Sequence, residues 1–459
     1  MERDFDVVVI GGGGAGLSAA LAAAENSART LLVDAAGKLG GSTALSGGVF
    51  YAAGTAIQQA NGVSDTAEAM YHHYMTLNRH AVSPPLVKKL CNEANSTLEW
   101  LISLGVRYTD DGLYFSGCDE VPRGHRPIGA GAEIIERLEG ALSQHGVDIA
   151  LATRITGLVV NEDGMIGGVQ IGDDTVTASA VVLATGGFGA NPQMLSFYFP
   201  DHRMGGDYLW YVGADTSQGD GIKMGVSAGA RVVGFNRGQL TVTHGFARDN
   251  EVEQPGWLVH INREGQRFVN ETLSYAVLAD RVKQQTQHEC FSIFDEAARL
   301  SLERANPRQP CWQKDLLLQY LQEGYLVRAG SLAELAERME IPVTAFEATF
   351  AQYNAECAAG EDRQFFKGAE HLRAMISPPF YAARMKPGIL GLTLTGLQID
   401  DQARVLDVQG CVIPGLFAAG ETTGGVIGEI YTASGNSIAN AIIFGRTAGR
   451  SAAALSHRP

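Results

Sequence analysis

The stretch DVVVIGGGGAGLSAALAAAENSARTLLVD, residues 6–34, constrains this chain more than any other. A short β-branched run leads into glycines, an alanine-rich helical stretch follows, and a second apolar run closes on Asp34. Gly11, Gly13 and Gly16 stand at G-x-G-x-x-G spacing. In that pattern the first glycine permits a tight turn, the second lets backbone approach a pyrophosphate, and the third lets helix and strand pack closely. The helix N-terminus offers unpaired N–H groups and the positive end of its dipole to the phosphates. Asp34 stands where a carboxylate would accept hydrogen bonds from ribose hydroxyls. Strand, turn, helix and acid in register predict a Rossmann-like dinucleotide-binding unit.

Three further glycine-rich stretches follow at a distance. GKLGGSTALSGGVFYAAGT (37–55) is a glycine- and hydroxyl-rich loop that a plain nicotinamide fold does not need. VVLATGGFGAN (181–191) reads as a buried strand ending in a turn, and GLFAAGETTGG (415–425) reads the same way, with Glu421 after it. Turns from such distant parts of the chain, converging on one ligand, suit a long extended cofactor such as FAD.

The rest of the chain sets bounds. At 459 residues it is too long for one compact core. The stretch 237–385, with mixed helical patterns such as SLAELAERMEIPVTAFEATFAQYNAECAAG, interrupts the glycine-turn rhythm, which resumes near 386. The expected fold is α/β: a discontinuous Rossmann-like FAD-binding domain (1–236 and 386–459) with an inserted α+β cap or substrate domain (237–385). A net charge of -15, from 50 acidic and 35 basic residues without a basic run, argues against a nucleic-acid partner. No apolar run approaches the roughly 20 residues of a membrane span. The opening MERDFDVVVI lacks a signal peptide's apolar region, so a cytoplasmic protein is expected. Cys91, Cys118, Cys290, Cys311, Cys357 and Cys411 form no C-x-x-C pair, so neither disulfides nor a metal site is expected. The charge-dense EAARLSLERANPRQ (296–309) reads as a solvated helix face.

Taken together, IGGGGAGLSAA, GGSTALSGGV, RGHRPIGAGAEI, VVLATGGFGA, GDGIKMGVSAGA, NREGQRFVNE, GLQID and GLFAAGETTGG…GNSIANAIIFGR resemble the flavoproteins grouped with fumarate reductase and succinate dehydrogenase, over nearly the whole chain. The resemblance implies FAD contacts from Gly11, Gly13, Gly14, Ala15 and Gly16, from Asp34 and Ala35, and from Gly41, Ser42, Thr43, Gly47 and Gly48. It adds Ile155, Ala184, Thr185 and Gly187, then Gly420 and Glu421, and finally Ser437 and Ile438. Members with covalently attached flavin carry a histidine just after the second glycine loop opens; GGSTALSGG has none, so the FAD is expected to be non-covalent.

The departures concern the substrate. Where fumarate reductases carry an arginine four residues past the glutamate of R-F-x-N-E, this chain has Tyr275. Where their last glycine loop carries a carboxylate-binding arginine, GEIYTASGN has Tyr431, and their His-His pair is replaced by Gly391 and Leu392. A dicarboxylate buried without those cations would be desolvated and unpaired. Tyr275, together with Tyr431 four residues ahead of Gly435, is similar to the 3-ketosteroid dehydrogenases of the same superfamily. That resemblance implies Tyr431 and the Gly435 amide as the grip on a ketone oxygen, and Tyr275 as the base that removes the neighbouring proton while hydride passes to the flavin. Tyr108 or Tyr114 is a candidate relay for Tyr275. Arg267 and Glu271 read as a structural pair, and His125 and Arg126 as scaffold or lid contacts.

The expected activity is FAD-dependent dehydrogenation of a neutral small-molecule cyclic ketone, a 3-ketosteroid or cyclohexanone-type ring, to its enone. An external electron acceptor is required, because no haem-attachment or iron-sulfur pattern is present. Reduction of an enone or unsaturated acid is the alternative, since hydride transfer is reversible, and flavin binding without turnover is a third possibility.

Overall fold

In the computed structural model the described residues are 3–115, 118–162, 164–246, 253–302, 306 and 309–456, with backbone alone for 110, 111 and 456. The chain divides into two compact units: Met1–Asp201 with Tyr211–Gln239 and Gly391–Pro459, and His202–Trp210 with Leu240–Leu390.

The first unit is built on a sheet in which strands Arg404–Leu406, Val412–Ala418, Asp174–Leu183, Phe5–Ile10, Thr30–Val33 and Asp148–Ala150 lie side by side in that order. The inner strands pair in parallel, with Val7 beside Thr30 on one edge and Ala180 on the other. Val7, Val8 and Val9 are fully buried, as strands of a parallel sheet covered on both faces must be. Strands Gly157–Val160 and Ile166–Ile171 add an antiparallel hairpin to the edge of Asp174–Leu183.

Two helices pack on this sheet and on one another. The opening helix, Gly14–Glu25, is alanine-rich and buried along nearly its whole length, so small side chains rather than an amphipathic stripe define it. The closing helix, Asn436–Ser456, crosses it at two glycines. A Cβ on Gly445 would lie 2.3 Å from the carbonyl oxygen of Ala15, and one on Gly449 would lie 2.1 Å from that of Ala19. The backbones therefore approach more closely than any side chain allows. At Gly16, a Cβ would meet the Gly11 carbonyl oxygen at 1.7 Å, which is the close helix–strand packing its place in the motif requires.

The second unit centres on a mostly antiparallel sheet in which Cys290–Asp295 pairs with Val259–Ile261 and with Phe380–Thr393, and the latter also with Leu326–Ala329. Helix Val343–Ala359 covers one face with Phe346, Phe350 and Tyr353. A second cluster gathers Phe246, Trp257, Phe294, Trp312 and Tyr381, with Phe294 and Tyr381 stacked at 5.0 Å. The stretch expected to be a solvated helix face is a short helix, Glu296–Leu300, in which Arg299 is buried against Glu296. The remainder of that stretch falls partly outside the described residues. Among the described residues no helix is long and apolar enough to cross a membrane, no acidic or thiol cluster could hold a metal, and the six cysteines are unbridged.

Replacing Gly449 with Ala is expected to cost about 1–3 kcal/mol by overpacking against backbone that cannot swing aside. A thermal unfolding curve checks this, and an unchanged midpoint would mean that the crossing is looser than described.

Candidate active site

The first glycine turn forms as its motif requires. Gly11 takes a φ of +106° and packs so that a Cβ would lie 2.3 Å from the Ala184 carbonyl oxygen. Gly13 is the N-cap of the opening helix and offers no side-chain cap, so the helix leaves the amides of Ala15 and Gly16 without an intrahelical acceptor. The space where a Gly13 side chain would stand is open, the nearest atom being the Gly40 oxygen at 3.9 Å. This is the cradle that a pyrophosphate needs. Asp34 accepts from the amides of Gly12 (2.5 Å) and Ala36 (2.7 Å), which fixes its carboxylate at the end of strand Thr30–Val33 beside Ala35. The returning chain is tied there through the Thr153 amide, which donates to the Asp34 carbonyl at 2.9 Å and leads to buried Ile155.

The second loop closes on the first. Gly14 N donates to Thr43 Oγ1 at 3.2 Å, Gly41 has a φ of +49°, and Ser42 Oγ accepts from Ala214 N at 3.0 Å. Gly48 meets the backbone of Ala130 and Gly131, whereas Gly47 faces open space. A Cβ on Gly420 would lie 2.8 Å from that of Ala15, so the third turn abuts the first helix.

Thr393 joins the remaining turns. Its hydroxyl accepts from Phe188 N (3.1 Å) and donates to Glu421 Oε1 (2.8 Å), and its amide donates to the same oxygen (2.8 Å). A Cβ on Gly187 would collide with both partners, at 2.1 and 2.3 Å. Thr185 Oγ1 accepts from Gly221 N at 3.0 Å. Thr393 belongs to no motif; its one signal in the sequence is its place in GLTLTGL, between two stretches that resemble cofactor loops. Burial pushes the Glu421 carboxyl up to about 7, and the two Thr393 bonds only partly offset this. Glu421 can therefore hold a proton or accept hydrogen bonds from a polyhydroxyl ligand. The uncapped amides, the Asp34 carboxylate and this buried acid fit a dinucleotide with a sugar-alcohol chain. The 40–48 loop carries no histidine, cysteine or tyrosine that could bond the flavin covalently.

At the start of the closing helix, Tyr431 turns its hydroxyl back onto the chain. The Ser437 amide donates to the phenol oxygen at 3.1 Å, and the Ser437 hydroxyl lies 3.0 Å from it. Tyr431 thus serves as an N-terminal cap for the helix that Asn436 begins and Ser437 and Ile438 continue. Burial raises the Tyr431 hydroxyl above the usual phenol value, against the opposing pull of the Ser437 and Gly435 amides. It stays a neutral donor at physiological pH. Gly435 has a φ of +95°, and a Cβ there would lie 2.8 Å from the Val49 oxygen, so the turn rests on the second loop.

Tyr275 belongs to the second unit, as the half-buried first residue of helix Tyr275–Lys283. Upstream of it, Arg267 binds Glu271 with Nε and Nη2 (3.0 and 2.9 Å) and Asp362 with Nη1 and Nη2 (3.2 and 2.8 Å). Lys367 completes the group, 3.2 Å from Glu271 Oε2 and 2.7 Å from the Leu258 carbonyl oxygen. Burial works against the ionisation of Glu271, but Lys367 and Arg267 outweigh it and hold the carboxyl below its ordinary value. The two cations and two carboxylates neutralise one another, so Arg267 and Glu271 are a structural pair. Nearby His260 is fully buried, which lowers its pKa to about 3 and keeps it neutral.

The other candidates make local contacts. His125 is buried, with Nε2 2.8 Å from Thr55 Oγ1, and Arg126 stacks over the Tyr114 ring at 4.7 Å. Tyr108 and Tyr114 lie in the first unit; the Tyr108 hydroxyl is buried without a hydrogen-bond partner, and burial raises its pKa.

Glu421 yields a pH prediction. Its folded pKa of about 7 lies above the ordinary 4.5, so the unfolded chain ionises first as pH rises. Stability from this group therefore falls between about pH 4.5 and about 7 and is level above. Thermal midpoints of flavin-free protein are expected to drop across that window relative to Glu421→Gln. Parallel curves for the two proteins would contradict the assignment.

The chain matches the FAD binding domain family over residues 6–438. It is 34% identical over 460 residues to a probable fumarate reductase of Shewanella frigidimarina, covering 97% of this chain and 74% of that protein. Among solved structures it is similar to the open conformation of a flavocytochrome c3 fumarate reductase (32% identity, TM-score 0.75, covering 100% of this chain and 79% of that one). It is also similar to the 3-ketosteroid-Δ4-(5α)-dehydrogenase of Rhodococcus jostii RHA1 in complex with 4-androstene-3,17-dione (28% identity, TM-score 0.84, covering 99% and 98%). With its glycine turns folded as a cradle for FAD, the chain belongs to the FAD binding domain family and is an FAD-dependent oxidoreductase of the fumarate reductase group.

Proposed function

We propose that this protein dehydrogenates a neutral cyclic ketone, a 3-ketosteroid or cyclohexanone-type ring, to the corresponding enone. The observation that carries the reading is the chemistry of Tyr431: a buried phenol, not an arginine, at the N-terminus of the closing helix. A hydroxyl that accepts from the Ser437 amide becomes a stronger donor through its own proton. It can give that proton to a carbonyl oxygen and stabilise the enolate as charge develops, with the Gly435 amide and the helix dipole adding to the field.

Electrostatics in the second unit support a neutral substrate. The cations of the Arg267–Lys367 cluster are matched by Glu271 and Asp362, so a dianion bound there would meet no uncommitted charge from that cluster. Tyr275, four residues beyond Glu271, is the proposed acceptor for the proton next to the carbonyl. FAD, when bound, supplies the two-electron acceptor for the hydride from the neighbouring carbon. The similarity to a ketosteroid dehydrogenase that spans 98% of that chain supports the same reading.

Similarity to fumarate reductases favours a second reading, the same phenol polarising an enone while it is reduced. Two anaerobic mixings separate the directions. Oxidised protein with a saturated 3-ketosteroid or a substituted cyclohexanone is expected to lose its flavin colour, whereas reduced protein with the enone regains it fastest if reduction is the working direction. Tyr431→Phe is expected to slow bleaching by about 10²–10³, the cost of one oxyanion donor. Bleaching at the wild-type rate in a flavin-replete variant would remove Tyr431 from that role.

A further inference from the structure

The loop that carries Tyr431 is held from beneath by a helix of the first unit that no motif marks. Helix Ala67–Leu77 ends at Asn78, its C-cap. The Asn78 side chain reaches both neighbours of Tyr431. Its Oδ1 accepts from Ile430 N at 3.3 Å, and its Nδ2 donates to Thr432 Oγ1 at 3.4 Å and to the Tyr74 carbonyl at 3.2 Å. The Gly428 backbone passes so near that a Cβ there would lie 2.0 Å from Asn78 Oδ1.

One turn earlier on the same helix, the Tyr74 hydroxyl donates to the Val426 carbonyl at 3.0 Å and accepts from Asn436 Nδ2 at 2.8 Å. Asn436 is the first residue of the closing helix and immediately precedes Ser437, whose amide and hydroxyl hold the Tyr431 phenol. Tyr74, Thr432 and Asn436 are fully buried and Asn78 is 4% exposed, so water cannot substitute for these bonds. Burial raises the Tyr74 hydroxyl well above the usual phenol range, which keeps its proton in place for Val426, and the field of Tyr431 adds to that rise.

We propose that Tyr74 and Asn78 are positioning residues for catalysis: Asn78 clamps the chain on both sides of Tyr431, Tyr74 fixes where the closing helix begins, and together they set the direction in which the Tyr431 hydroxyl is presented to the substrate carbonyl. The inference rests on the proposed role of Tyr431 and deepens it. An oxyanion donor acts through placement to within a fraction of an ångström, so it needs neighbours that cannot relax. Apart from the Tyr74 carbonyl, these partners all lie in the 426–436 segment, as main chain at Val426 and Ile430 and as side chains at Thr432 and Asn436, which ties the set to that segment rather than to the bulk core.

The test is a double-mutant cycle on the flavin-replete protein, read as the anaerobic bleaching rate with a saturated 3-ketosteroid. Tyr74→Phe deletes one oxygen and is expected to lower the limiting rate about tenfold or more while KM stays within about twofold, because the donor is misaimed rather than the pocket lost. Tyr74→Phe with Tyr431→Phe is expected to be no slower than Tyr431→Phe alone, since there is then no phenol left to aim. Effects that multiply, or a Tyr74→Phe rate equal to wild type while Tyr431→Phe is slow, overturn the positioning role and leave the role of Tyr431 standing. A wild-type rate for Tyr431→Phe overturns both. Should Tyr74→Phe fail to retain flavin, Thr432→Val, which removes the Asn78 contact at the other side of Tyr431, is put through the same cycle with the same criteria.

Discussion

The close crossing of the opening and closing helices governs what the first unit can do. Gly445 and Gly449 let the closing helix rest on the carbonyls of Ala15 and Ala19, a distance no Cβ permits. The two helix N-termini are thereby fixed in one rigid piece. One begins at Gly13 and leaves amides uncapped for phosphate; the other begins at Asn436 and is capped by the phenol of Tyr431. Gly420, pressed against Ala15, brings the Glu421 turn to the same place. A cofactor long enough to reach all three turns is held by backbone that cannot drift, because close-packed main chain has no soft side chain to absorb movement.

Charge is distributed with similar economy. The second unit buries Arg267 and Lys367, yet Glu271 and Asp362 consume their charge, and Asn270 ties the adjoining turn to the carbonyls of Phe365 and Phe366 at 3.2 Å. These ions hold the polypeptide together. The first unit presents a neutral phenol and helix-end amides at Tyr431, and a carboxyl at Glu421 that burial keeps near the border of ionisation. Such groups suit the substrate proposed above, an uncharged oxygen that gains charge only as the reaction proceeds.

Much of this was legible in the sequence wherever backbone geometry dictated residue type. Gly11 and Gly16 announce themselves because neither place tolerates anything larger, Gly13 because the open space beside it is where a pyrophosphate approaches the backbone, and Glu421 follows a strand–glycine turn of the same kind. Arg267 and Glu271 were readable as a structural pair within RFVNE, although their partners Asp362 and Lys367, nearly a hundred residues on, were not. Thr393, Tyr74 and Asn78 were invisible for a physical reason: each works through contacts that are distant in sequence, and a threonine in a strand or an asparagine after a helix carries no local pattern. The Tyr431 hydroxyl was expected to face a ligand; its bond from the Ser437 amide depends on where the following helix starts, which spacing does not specify.

In the proposed function, a neutral carbonyl is held by the Tyr431 hydroxyl. Equilibrium titration of the oxidised flavoprotein, followed by the flavin difference spectrum, tests this without any turnover. A cyclic enone is expected to bind measurably and to lose roughly 1.4 kcal/mol or more, about tenfold, on Tyr431→Phe, while fumarate leaves the spectrum unchanged at comparable concentration. Fumarate binding tightly, with an affinity indifferent to Tyr431→Phe, would contradict the account.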